Sequence, residues 1–423
     1  MKIVGIIAEF NPFHNGHKYL ISKAKEVCNA DAAVIVCSGN YVQRGMPAII
    51  NKTSRCEMAM LNGADLVIEL PVVYSTALFA TASIALLDSL NCVDYLCFGC
   101  ETDSIDLLNT VAEILINEPK EYKDLLTINL KTGISFPKAR AKALDEYFKK
   151  YNLDYSLDIN SNKYAKCPSD ITSNSNLDIN TFINQPNNIL GIEYIKALMR
   201  FNSKINPVPL KRLGAGYHSL DTRTKLASAT GIRTAMANKD NISGLLPDNC
   251  LNIIKNHTTI EYNDFSTVLG SKLLSMDTLD HIEGINQDLS NRIANNKYNF
   301  TDIETFIPML QSKNYTYSAI SRALLHIILD IKTDDIKEFI SNNYVNYAMI
   351  LGFNKNTGIL SEINKYTKIP LVSKFATFYK EADNNQRKML DINLKADNLY
   401  RMIYMNKTSE TLPTEFQRQI IIK

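Results

Sequence analysis

The chain has 423 residues, 45% of them hydrophobic and 21% charged, with a formal net charge of +2. That length exceeds one ordinary core and predicts two domains, while the composition excludes disordered, collagen-like and disulfide-scaffold classes. No run of 18 apolar residues occurs, so no membrane-spanning helix and no membrane partner are expected. The N-terminus passes from Lys2 straight into an apolar run, without the charged segment, long apolar core and cleavage site of a secretory leader, so a cytoplasmic location is expected. Eight cysteines, among them Cys28, Cys37, Cys56 and Cys92 in apolar contexts, read as buried thiols of a reducing compartment. Cys97-Phe-Gly-Cys100 has no second cysteine pair, which leaves a zinc or redox reading weak.

Ile3-Val-Gly-Ile-Ile-Ala8 is short, apolar and rich in β-branched residues, and predicts a buried first strand. Asn11-Pro12 signals a turn, and Leu20, Ile21, Ala24 and Val27 recur at helical spacing behind it. Further strands are predicted at Asp31–Ser38, Asp65–Leu70 and Val93–Phe98, with helices at Arg55–Asn62 and Ala77–Leu90 between them. Apolar strands alternating with helices predict an α/β fold, a Rossmann-like parallel sheet covered on both faces. Ligands of such sheets collect beyond the carboxyl ends of the strands, where His14, His17, Ser38 to Arg44, Gly99 and Glu101 all fall. Residues 103–152 read as helices, and the Ser/Asn/Asp-rich stretch 153–186 as an inserted mobile loop. Pro207–Arg212 reads as a late strand, and Ser228-Ala-Thr230-Gly-Ile-Arg233 as a loop-to-helix junction. A boundary near residue 240 separates this first domain, 1–240, from a mainly α-helical second one, 241–423, with helices at 265–274, 319–331 and 336–339.

The most informative stretch is Phe10-Asn-Pro-Phe-His14-Asn-Gly16-His17, which opens the first helix directly after the first strand. A helix start offers unpaired N–H groups and the positive end of the helix dipole to an anion. Residues three apart share a helical face, so both imidazoles can serve one anion, and Gly16 leaves its backbone approachable. The pair supplies too few ligands for a zinc site, and no protein metal ligands are expected.

His-x-Gly-His after a first strand resembles the signature of the HxGH nucleotidylyltransferase superfamily. Three longer strings are similar to the tRNA(Met) cytidine acetate ligase family: Glu9 to His17, Ser38-Gly-Asn-Tyr-Val-Gln-Arg-Gly45, and Gly63-Ala-Asp-Leu-Val-Ile-Glu-Leu-Pro71. Ser228 to Arg233 resembles the second superfamily signature. The resemblance spans nearly the whole chain, and implies ATP-dependent activation of acetate followed by acetyl transfer to the wobble cytidine of elongator tRNA(Met). It implies ATP, with Mg2+, as substrate, and His14 and His17 as catalytic. The ATP contacts it implies are Ile7, Ala8, Glu9, Phe10, Asn11, Pro12, Phe13, His14, Asn15, Gly16, His17, Lys18, Tyr19 and Leu20, together with Gly99, Asn187 and Arg212. Ser228, Thr230 and Arg233 would hold the outer phosphates. The residues alone favour a helix cap for Asn187 and a turn glycine for Gly99.

The acetate pocket is not marked uniquely; Gln43, Arg44 and Lys52 are candidates near the same rim. For RNA, Lys313, Tyr315 and Arg322 combine stacking aromatics with cations. Residues 241–350 carry 8 basic and 13 acidic residues, whereas 351–423 carry 12 and 7, so the balances are −5 and +5. The basic end is compatible with a phosphate-backbone footprint and equally with an ordinary solvated surface. Met46 and Cys100 depart from the family pattern, in which Glu and Ser are expected. Two other readings, a coenzyme-forming nucleotidylyltransferase and a non-catalytic RNA-binding protein, leave respectively the second half and the intact histidines unexplained.

Overall fold

A computed structural model describes residues 1–76, 78–151, 179–212 and 227–423. Ten strands lie among these residues: β1 (Ile3–Ala8), β2 (Ala32–Ser38), β3 (Tyr41–Val42), β4 (Met46–Pro47), β5 (Leu66–Leu70), β6 (Tyr95–Cys100), β7 (Asn206–Lys211), β8 (Ala348–Phe353), β9 (Leu371–Val372) and β10 (Ile421–Ile422). The main sheet runs β10-β8-β5-β2-β1-β6-β7, with β9 beside β8. β1, β2, β5, β6 and β7 are mutually parallel, as the apolar runs predict. The sheet grows from β1 through β2 to β5 on one side, and through β6 to β7 on the other. β1 is therefore the switch point, and a crevice opens at its carboxyl end.

Alternate residues of β2 feed two cores: Ala32, Val34 and Val36 face one, and Ala33, Ile35 and Cys37 the other. Helices cover both faces, so the central strands are dry on both sides. Cys97 and Cys100, three apart on β6, fall in opposite cores, which removes the metal and redox readings of that pair.

The second half is mostly helical but does not fold apart from the first. β8 pairs antiparallel with β5, from Leu66 opposite Phe353 to Glu69 opposite Met349, and β10 extends the sheet beyond it. One apolar core runs without a break from Ile3 to Tyr404. The boundary expected near residue 240 therefore coincides with no break in the sheet or the core, and the helical prediction missed β8, an apolar run too short to betray its period. Within the expected loop 153–186, residues Ile179–Asn184 form a helix that buries Ile179, Phe182 and Ile183. Residues 152–178 lie outside the described residues. No described helix is long and apolar enough to cross a membrane.

The halves are also joined by charge. Lys52 opens the helix Lys52–Leu61 and is only 3% exposed. Its ammonium lies 2.8 Å from Glu69 on β5, 2.6 Å from Asp397 on the helix Asn384–Thr408 and 3.0 Å from Glu415 near the C-terminus. Arg418 closes the group through Glu415 at 3.1 Å. Burial alone would lower the Lys52 pKa, but the three carboxylates outweigh it and hold the ammonium charged. These carboxylates are the one metal-like grouping among the described residues, and an ammonium fills it. Removing one member of a buried ionic network costs roughly 3–5 kcal/mol, because its partners stay buried and unpaired. Lys52→Met is accordingly expected to lower unfolding stability by about that amount, read from urea denaturation.

Candidate active site

The crevice at the end of β1 is shaped first by its backbone. Phe10 takes the left-handed conformation at φ 51°, and a cis Asn11–Pro12 bond follows. The left-handed conformation costs a bulky residue such as Phe10 on the order of 1–2 kcal/mol, which ring packing offsets. The Phe10 ring lies 4.9 Å from Phe13 and 5.0 Å from His17. The chain then enters the helix Asn15–Val27 with His14 as its N-cap, in extended geometry.

The two histidines cap each other's backbone. Gly16 N–H donates to His14 Nδ1 at 3.1 Å, and His14 N–H donates to His17 Nδ1 at 3.2 Å. This is a capping box built from imidazoles. An accepting Nδ1 carries no proton, so in both rings the proton sits on Nε2, which becomes the outward donor. The rings stack with centroids 3.8 Å apart. A Cβ on Gly16 would lie 2.9 Å from the His14 ring, so glycine is required here by the folded-back imidazole. Burial, then the charges of Arg212 and Arg233, push His14 down to about 3. Burial, His14 and Arg212 hold His17 well below its ordinary value. Both rings are thus neutral donors, and the positive charge of the site comes from arginines.

Arg233 reaches the crevice from the helix Ala229–Ala237, which Ser228 caps by accepting from Gly231 N–H at 3.0 Å. Its guanidinium donates to Asn11 O at 2.7 Å and to Thr230 Oγ1 at 3.2 Å. Arg212 follows β7, and a Cβ on Gly99 would lie 3.2 Å from its Cγ, so the glycine accommodates the arginine stem. Asn187 does not cap its helix. Glu101 does so, accepting from Asn188 N–H at 3.0 Å and holding Asn187 Nδ2 at 2.6 Å.

One pocket is lined by Ile7, Ala8, Glu9, Phe10, Asn11, His14, His17, Leu20, Gly99, Asn187, Arg212, Ser228, Thr230 and Arg233. Pro12, Phe13, Asn15, Gly16, Lys18 and Tyr19 of the implied segment do not line it. Phe13 is buried beneath His17, Asn15 ties the helix start to Gly244 O at 2.8 Å, and Lys18 and Tyr19 are exposed. Sequence reasoning missed Val42, Met46, Phe79, Phe98, Leu190, Tyr194 and Ala229 as lining residues. The first two belong to the β3–β4 hairpin, whose two-residue strands are too short for any periodicity to mark. Of the three acetate candidates, Gln43 and Arg44 line this pocket, and Lys52 does not.

The chain matches the model of the HIGH nucleotidyl transferase family over residues 1–415. It is 36% identical to the tRNA(Met) cytidine acetate ligase of Thermoanaerobacter sp. (strain X514), covering 96% of this chain and 97% of that one. It is 34% identical to that of Acetivibrio thermocellus, each covered in full. The chain belongs to the tRNA(Met) cytidine acetate ligase family. Two crystal structures of Thermotoga maritima TmcAL, each 28% identical and covered in full, superpose with TM-scores of 0.87 for an apo form and 0.85 for one bound with alpha-thio ATP. The protein is therefore a ligase on the nucleotidylyltransferase fold. Of the two departures from the family pattern, Met46 lines the pocket, whereas Cys100 is buried and bonded to Leu210 O at 3.5 Å.

The RNA candidates diverge. Lys313 is exposed, and Tyr315 donates to Asn286 Oδ1 at 2.5 Å. Arg322 turns inward, where its Nε donates to Gln43 O at 2.9 Å. Within the basic segment 351–423, Lys365, Lys388, Lys407 and Arg418 are paired with carboxylates of this chain.

The neutral imidazoles have a consequence for pH. Each pKa is depressed in the folded state, so below about 6.5 the unfolded chain binds the extra proton. Stability is full above that value and falls as pH drops toward the folded pKa. Between pH 7.5 and 5, His14 alone should remove about 2 kcal/mol, a share of the pH dependence that His14→Asn should take out of denaturation curves while that of His17 remains. Ligase activity should show no inflection near pH 6.5 from these two rings.

Proposed function

We propose that this pocket activates acetate with ATP and that the acetyl group then passes to the wobble cytidine of elongator tRNA(Met). An acetate oxygen attacks the α-phosphorus, the bond to the bridging oxygen breaks, and pyrophosphate leaves. The acetyl-adenylate is then attacked at its carbonyl carbon by the exocyclic amine of cytidine. That amine loses a proton, AMP departs, and N4-acetylcytidine results. The amine is a weak nucleophile, which is why the carboxylate needs activation. Mg2+ enters with the nucleotide as part of the substrate.

The observation that carries this reading is the pair of neutral imidazoles, both with Nε2–H outward, beside Arg212 and Arg233 at the switch point of the sheet. Charge develops on phosphate oxygens in the transition state, and fixed donors and cations stabilise it without reorganising. Neutral histidines suit the task, because they donate hydrogen bonds and have no proton to lose near neutral pH. Gly99 and Asn187 would lie along the adenosine, and Ser228, Thr230 and Arg233 near the outer phosphates. RNA recognition falls to the second half, with Lys313 as the exposed cation of the aromatic-basic stretch.

His14 both caps a helix and presents a donor, and two substitutions separate these roles. Asparagine is a good N-cap but lacks the outward Nε2–H. His14→Asn should keep wild-type stability and lose about a hundredfold in acetate-dependent ATP–pyrophosphate exchange. His14→Ala should lose the same rate and about 1 kcal/mol of stability besides. Near-normal exchange in both would reject the assignment. Charge reversal at Lys313 should weaken tRNA acetylation and flatten its salt dependence, while exchange without tRNA stays unchanged.

A further inference from the structure

The β3–β4 hairpin supplies Val42, Gln43, Arg44 and Met46 to the pocket, yet it is too small to hold its own shape. Its position comes from both halves of the chain at once. Gln43 N–H donates to Glu9 Oε1 at 2.5 Å, and Gln43 C=O accepts from Arg322 Nε at 2.9 Å. An acidic and a basic residue, one after β1 and one on the helix Tyr317–Leu329, thus pin the two backbone groups of one residue. A second bolt lies beside the first: Ser321 Oγ donates to Gly45 O at 3.0 Å. Gly45 has φ +80°, and a Cβ there would lie 2.4 Å from Arg322 N, so hairpin and helix meet backbone to backbone.

The pocket assignments above leave this wall without a substrate part. Gly99 and Asn187 lie at one end, and the histidines with Arg212 and Arg233 at the phosphate centre. The hairpin residues line the same pocket, together with Glu9 and Phe79. Besides burial and the Gln43 hydrogen bond, the charges acting on Glu9 are those of Arg233, Arg55 and Arg44, and Arg233 also acts on His14, so the hairpin adjoins the phosphate centre. Arg44 brings a cation to the apolar side chains of Val42, Met46 and Phe79, the chemistry of a small carboxylate with an alkyl tail.

We infer that the β3–β4 hairpin forms the acyl end of the pocket and that Arg322 is a positioning residue that sets its shape. This rests on the acetate-activation reading. It also means that Arg322 acts on the first step of the reaction, although it belongs to the half assigned to RNA.

The test is ATP–pyrophosphate exchange without tRNA, with acetate or propionate, by wild-type chain, R322A, R322K and S321A. R322A should raise the KM for acetate about tenfold, the scale of one lost charge-assisted hydrogen bond. R322K, which keeps a donor, should fall between, and S321A should shift less in the same direction. The propionate-to-acetate preference should move with the acetate KM, because a displaced wall changes the fit of the alkyl tail. The KM values for ATP and, in the full reaction, for tRNA should stay within about twofold. General loss of folding would instead lower kcat for every substrate together. An unchanged acetate KM in folded R322A overturns the inference, as does a rise confined to the tRNA KM. Should R322A not fold, R322K and S321A carry the test, and an unchanged acetate KM in both overturns it. If the wild-type chain exchanges pyrophosphate with no small carboxylate, the acetate reading itself fails, and the inference falls with it.

Discussion

The structure depends on one ammonium group. Lys52 Nζ gathers Glu69, Asp397 and Glu415, which come from the sheet, from the longest helix and from the final segment. Each carboxylate alone would be costly to bury, and the lysine alone equally so. Together with Arg418 they make a polar knot inside a molecule otherwise closed by apolar packing. Nearby contacts follow from it: Asn40 Nδ2 donates to Asp397 Oδ1 at 2.8 Å, and Asn40 Oδ1 accepts from Lys52 N–H at 2.7 Å. The loop after β2 is thereby fixed, and that loop leads into the hairpin that walls the active-site pocket.

A second buried cation does similar work on the other side of the loop. Arg55 is fully buried and donates to the carbonyls of Ile50 at 2.9 Å, of Glu9 at 2.5 Å and of Gly39. It joins the ends of β1 and β2 through backbone oxygens that no strand partner satisfies. The site is therefore held by charges that do not line its pocket, while the groups that face the pocket include two uncharged imidazoles. Separating the two duties lets the histidines stay neutral in a strongly positive pocket.

Much of this was legible in the sequence, for physical reasons. Parallel strands buried on both faces must be apolar runs, so β1, β2, β5 and β6 announced themselves. A histidine pair around a glycine at a helix start pointed to the crevice. The reciprocal caps did not show, because a histidine at an N-cap carries no propensity signal comparable to serine or aspartate. β8 was hidden because its apolar run sits in a helical half and pairs with a strand nearly three hundred positions earlier. Lys52 read as a rim residue, since a lysine at a helix start is ordinarily exposed and two of its partners lie at the far end of the chain. Arg322 was misread similarly: its neighbours Lys313 and Tyr315 suggested a surface, but the residue one turn into the helix points inward.

The pairing of β5 with β8 bears on biosynthesis. Among the described residues, the outer edge of β5 is covered by β8, residues 348–353, which are made about 280 residues later. At ordinary elongation rates that is roughly 14–56 s during which a nascent chain presents a bare strand edge. Bare edges recruit other strands. A chain released early, or cut after residue 240, would keep that edge permanently, so the nucleotide-binding half is not a portable module. Its sheet is completed by β8, a strand that the second half of the sequence supplies.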